Sequence, residues 1–379
     1  MTSPEMGAIK EMGKLELSEP GPQNTWRLTT AVMVDTPATV KSLVDTLAHL
    51  QKSFGSIYMD LEGINLSRHG SISLVQILVP SCEQAFIIDI HILGMTAFDT
   101  TGSEGKSLKD ALESKAIKKY LFDVRNDSDA LYALFGVRLD GVVDVQLLEL
   151  ASRKGMKHAL CGLAKCIEQE QALPSEALLQ WQNTKKEVIK KFDPKLGGTY
   201  EVFNVRPLPQ VLIDYCVGDV EFLPLLSAIY QKRMSCHWLE KARVETEKRL
   251  NESRSPSYKH HGRQKSLGPK SWRFPPKRET RSNVTVAAST TCGPTPLANQ
   301  EVLAQSAFHA GELRYQPVVF VPEGGENGGK ARKGKPKCSL TSPYNDVSSR
   351  YALYDDNEQN WALCDKDCGW CGHCGDGII

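Results

Sequence analysis

No stretch of this 379-residue chain reaches 18 consecutive apolar residues. A membrane-spanning helix of ordinary length is therefore excluded. The start, MTSPEMGAIKEMGKLELSEPG, has no apolar core, so no secretory signal peptide is expected. A Gly-x-x-x-x-Gly-Lys-Ser/Thr loop, a Gly-x-Ser-x-Gly elbow and a His-Glu-x-x-His helix are all missing. These absences remove the P-loop nucleotide, serine-hydrolase and zincin chemistries. Neither sign of charge dominates: 46 Lys and Arg stand against 45 Asp and Glu. Net charge thus says nothing about partners, and only the distribution of charge can.

What is present describes an ordinary globular protein, 41% apolar and 24% charged. The 11 cysteines would suggest a disulfide framework in a secreted chain. Without a signal peptide, reduced thiols and a cytoplasmic or nuclear location are expected. Five of the cysteines fall between Cys338 and the end, which points to a local site instead.

Residues 1–25 are polar and punctuated by Pro and Gly, the composition of a disordered leader. Val40, Leu43, Val44, Leu47 and Leu50 form a helical stripe. Three apolar runs follow: SIYMDLEG, SISLVQILVP and QAFIIDIHILG. The connections between them are short, which predicts an antiparallel meander. From Ser107 the pattern alternates. A capped helix, the strand IKKYLFDVR, the helix DSDALYALFG, the strand GVVDVQ and the helix VQLLELASRK succeed one another. Alternation of this kind implies parallel crossovers. The expectation is an α/β fold: a ribonuclease H-like mixed five-stranded sheet flanked by helices. The remaining sequence to Arg254 reads as mostly helical, which gives one folded domain over residues 26–254.

Asp60 and Glu62 end the first of those runs. In a strand, positions i and i+2 share a face. Two carboxylates projecting together repel each other unless a cation lies between them. Read alone, the pair is either half of a metal site or a solvated strand end. Asp123, Asp127 and Asp129 crowd the next strand-to-helix junction. Leu131 and Leu134 share the face of Asp127, which directs that face to the sheet and places Asp129 on the other side of the helix. Tyr215 and Asp219 are one helical turn apart, and Phe222, Leu223 and Leu226 continue their inward stripe.

The three motifs, Asp60-x-Glu62, Asp127 with Leu131, and Tyr215-x-x-x-Asp219, resemble the DEDDy 3′–5′ exonucleases, the ribonuclease D-like group. FDVRNDSDALY is similar to the subgroup that contains Egalitarian and related exonuclease-domain proteins. The resemblance spans roughly residues 30–235. It implies that Asp60, Glu62, Asp127 and Asp219 hold two Mg²⁺ or Mn²⁺ ions. It also implies that Tyr215 orients the attacking water, and that RNA or single-stranded DNA is shortened from its 3′ end. The alternative on the same fold is a nucleic-acid adaptor without catalysis. The loop LSRHGSISLVQ also resembles the subgroup, and Arg68 and His69 in it are candidates for a substrate-facing position.

Beyond Arg254 the composition shifts. Nine Lys or Arg lie between Arg254 and Arg281, interleaved with Tyr258, Trp272 and Phe274. Basic groups follow phosphates and aromatic rings stack on bases. A flexible basic and Gly-rich linker over 255–337 is the plainer reading, and KARKGKPK at 330–337 fits a nuclear signal. In the Cys-rich segment 338–379, Cys364, Cys368, Cys371 and Cys374 have spacings that could surround one structural Zn²⁺, or remain thiols.

Overall fold

The computed structural model describes residues 26–273. In chain order its elements are β1 (Thr30–Val34), α1 (Pro37–Lys52), β2 (Ser56–Glu62), β3 (Leu74–Val79), β4 (Gln84–Asp89), α2 (Ile90–Leu93), α3 (Thr96–Asp99) and α4 (Leu108–Glu113). They continue with β5 (Lys118–Leu121), α5 (Arg125–Phe135), β6 (Val142–Asp144), α6 (Val145–Ser152), α7 (Leu163–Gln169), α8 (Ser175–Phe192), α9 (Gln210–Val220), α10 (Leu223–Arg233) and α11 (Cys236–Ser253). None of the described helices is long and apolar enough to cross a membrane.

One mixed sheet of order β1-β4-β3-β2-β5-β6 organises the domain. β2, β3 and β4 form the expected antiparallel meander, and β5 and β6 add parallel to β2. This is the ribonuclease H-like arrangement, with one correction: the sheet has six strands, not five. TAVMV makes β1, a short parallel edge strand beside β4. At five residues it shows too little alternation to stand out from the polar segment before it.

The sheet separates two apolar layers. Met59, Leu61, Val75 and Ile77 face α1, α4 and α5. Tyr58, Leu74, Leu78 and Tyr120 face the layer built by α6 to α10. Helix ends follow local chemistry. Thr36 and Ser107 each close a capping box, and Gly136 ends α5 at φ +64, where a Cβ would be strained.

The domain does not stop at Arg254. Residues 255–273 return across the fold and pack: Leu160 donates to Ser266, Gly268 to His158, and Trp272 is buried against Trp238. Composition alone made this stretch a linker, because its anchors are single aromatic and basic side chains without periodicity. The leader, the segment 274–337 and Cys364, Cys368, Cys371 and Cys374 lie outside the described residues.

Candidate active site

β2 delivers Asp60 and Glu62 to the face on which α9 lies. The register pairs Asp60 with Gln76 and Glu62 with Leu74, so the two acids sit over the middle of the sheet and at its end. α9 crosses there with Tyr215 and Asp219 on its buried side, 1% and 4% exposed. One oxygen of each of Asp60, Glu62 and Asp219 comes within 4.8 Å of the other two. Asp60 and Glu62 are half-buried, so the cluster stays open on the strand side. Phe192 meets the Tyr215 ring edge-on at 6.0 Å and Phe203 lies at 6.4 Å, which fixes the phenol's direction.

Two glycines permit this proximity. A Cβ at Gly63, directly after Glu62, would stand 2.0 Å from the Ser71 carbonyl oxygen. At Gly218 it would stand 2.7 Å from Trp181 Nε1. The bare backbone at 218 lets α8 close on α9, with the Trp181 indole donating to the Gly218 carbonyl at 3.4 Å.

That closure brings in a residue the motifs do not contain. Lys185, one turn after Trp181, places Nζ 2.6 Å from Asp219 Oδ1, with both side chains almost wholly buried. Its ammonium also lies 5.3 Å from the Trp181 ring centre and 5.1 Å from that of Tyr215, within cation–π range. The sequence does hold a signal for it: Ala177, Trp181, Val188 and Phe192 make an inward stripe on α8, and Lys185 interrupts it.

Asp127 is not part of the carboxylate cluster. It is 5% exposed at the start of α5, where burial and the nearby Asp123 carboxylate push its carboxyl well above the usual range. Asp123 behaves oppositely. Burial disfavours its charge, but Arg125 and Arg249 outweigh that and hold it well below the usual range. Arg125 binds Asp123 through two contacts of 2.5 Å, and Arg249 Nη1 donates to Asp144 at 2.7 Å and Gln146 at 3.1 Å.

Asp129, expected away from the inward face of α5, is buried as well. It is fully buried, accepting from the Arg68 backbone at 2.9 Å and from Arg68 Nε at 2.6 Å. Arg68 Nη2 also donates to the Ser253 and Ser255 carbonyls. Arg68 therefore ties the β2–β3 loop to α5 and α11. His69 lies on the same loop with its ring 5.6 Å from that of His260. The 3.6-residue period assumes that a helix has one inward face. The start of α5 is enclosed on two sides, by the sheet and by the returning segment, whose Tyr258 donates to Asn126 at 2.9 Å.

Three clustered carboxylates are hard oxygen donors suited to Mg²⁺ or Mn²⁺. The structure brings three of the four implied carboxylate ligands within 4.8 Å of one another.

Mouse and human piRNA biogenesis protein EXD1 are 25% and 27% identical to this chain over 193 and 192 residues, half of it in each case. The chain spans about a third of those relatives, 31% and 35% of their lengths. Among solved structures, Trypanosoma brucei RNase D is 21% identical with a TM-score of 0.47, covering 74% of this chain and 83% of that one. Escherichia coli RNase D is 18% identical with a TM-score of 0.43, covering 60% and 51%. The profile of the family described as 3′–5′ exonuclease matches residues 31–234. This span runs from β1 through α10 and contains every element that builds the carboxylate cluster. By that match, over more than half its length, the chain belongs to the 3′–5′ exonuclease family.

Proposed function

We propose that this protein is a divalent-metal-dependent exonuclease that removes nucleotides from the 3′ end of RNA or single-stranded DNA. The observation that carries the proposal is the convergence of Asp60, Glu62 and Asp219 from two separate elements to within 4.8 Å, beside a buried tyrosine. Such a cluster is costly without a cation and is suited to holding one.

Asp60, Glu62 and Asp219 would hold Mg²⁺ or Mn²⁺. When bound, the ion supplies a water of lowered pKa and relief of charge on the phosphate. Tyr215 positions the attacking water through its phenol. The water oxygen bonds to phosphorus, the bond from phosphorus to the preceding 3′ oxygen breaks, and that oxygen takes up a proton. The product is a nucleoside 5′-monophosphate.

The test uses 5′-labelled RNA and DNA oligomers with the purified protein and Mg²⁺ or Mn²⁺. A ladder shortening from the 3′ end, absent in a folded Glu62→Gln variant, is expected. Unchanged oligomers with both ions would overturn the proposal. One observation favours a second reading, the adaptor without catalysis: Asp127 is outside the group of acids that lie within 4.8 Å of one another. Oligomer binding without shortening is the outcome that would select it.

A further inference from the structure

We infer that the returning segment, residues 255–273, is a second nucleic-acid surface, which holds the phosphate backbone of the strand leading into the carboxylate cluster. The inference rests on the exonuclease reading and concerns how the 5′-ward part of the substrate is gripped. From Arg254 through Arg273 the chain carries six Lys or Arg, together with His260 and His261, and no Asp or Glu. The segment lies beyond the span that matches the exonuclease family, which ends at residue 234.

Its placement follows from the sheet. β2 and β5 are parallel neighbours, so the chain leaves both at the same end, from Glu62 into the β2–β3 loop and from Leu121 toward α5. The returning segment is fastened to both exits. Arg68 in the loop donates to the Ser255 carbonyl at 2.8 Å, Tyr258 donates to Asn126 at 2.9 Å, and the His69 and His260 rings lie 5.6 Å apart. The segment therefore stands at the end of the sheet that carries Glu62.

The side chains divide their work. Lys265 and Trp272 are buried and anchor the segment, whereas Lys259, His261, Arg263 and Lys270 are exposed. The acids beneath, Asp123 and Asp129, are held in ion pairs with Arg125 and Arg68. A backbone fixed from below with cations directed outward suits phosphates, which carry no base information. Because the segment is already ordered, less ordering cost accompanies binding.

The experiment compares full-length protein with the variant Lys259→Gln/Arg263→Gln/Lys270→Gln. Binding of an oligomer of about 16 nucleotides is measured against salt in a Glu62→Gln background, which keeps the oligomer intact. The slope of log K against log salt should fall by about 2, since each phosphate neutralised on a single strand contributes about 0.7. With Glu62 restored, kcat/KM should drop roughly tenfold or more on the long oligomer and stay near wild type on a dinucleotide, which is too short to reach the segment.

An unchanged slope in the folded variant would overturn the inference while the exonuclease reading stands. An equal loss on the dinucleotide would also overturn it, because the charges would then act at the carboxylate cluster. If the wild type hydrolyses neither substrate, the exonuclease reading falls and the salt slope alone decides whether the surface binds. If the triple variant fails to fold, Lys259→Gln and Lys270→Gln singly should each lower the slope by about 0.7.

Discussion

Asp60, Glu62 and Asp219 on one side, and Asp123, Asp127 and Asp144 on the other, are two groups of three acids in one domain. The second group is neutralised internally. Arg125 and Arg249 bind Asp123 and Asp144, while burial keeps Asp127 toward its protonated form. The first group has Lys185 against one member and stays half-open on the strand side. Arginine forks lock carboxylates in fixed geometry, which suits structure. Carboxylates clustered on a half-open face suit recruitment of an ion. Enclosure in arginine forks against a half-open face, more than the number of acids, separates the scaffold from the site.

Breaking the scaffold should have the largest effect on stability. Arg249→Ala leaves Asp144 and Asp123 buried without their shared cation, and about 3–5 kcal/mol of stability should be lost. Urea unfolding would show the midpoint falling. A loss below about 1 kcal/mol would mean that water reaches the network and that the contrast between the two groups is weaker than described.

Tyr215→Phe sharpens the other side of the comparison. With the hydroxyl removed and the ring packing kept, kcat should drop by roughly 10²-fold, with KM and the melting temperature nearly unchanged. An unaltered kcat would remove the phenol from water positioning.

The smallest effect expected is on pH dependence. The folded-state pKa of Asp127 lies above the ordinary 3.8, chiefly from burial and secondarily from Asp123. The unfolded chain therefore releases this proton at lower pH than the folded one. The resulting cost is absent below about pH 3.8, grows as pH rises from there and is complete above the raised value. Asp127→Asn should thus raise the melting temperature at neutral pH and leave it unchanged in acid. A lower melting temperature at neutral pH would show that the Asp127 carboxylate is needed as an anion.

The meander, the alternating half and four of the five motif residues in their final relation were legible because each depends on local spacing. Asp60-x-Glu62 follows from strand pleat, and Tyr215 with Asp219 from one helical turn. The position of Asp127 depends on the enclosure of α5 by residues more than a hundred positions away, such as Tyr258, and no local period reports that. Lys185 was missed because a lone lysine on a helix is ordinarily a solvated one. Only its place inside the Trp181–Val188 stripe argues otherwise. The returning segment was missed because it has neither strand alternation nor a helical stripe.

That segment also bears on how the chain folds. Arg68 reaches Ser255 across 187 positions, and Tyr258 reaches Asn126 across 132. Contacts so distant in sequence are slow to form, because the loop between them must close first. During synthesis the start of α5 lacks this cover until residues near 265 have left the ribosome. Asp127, Asp129 and the neighbouring apolar surface stay wet throughout that interval. A nascent chain paused before this point would hold the strands and helices of a nuclease domain without its last wall, and it is there that chaperone binding or proteolysis would find it.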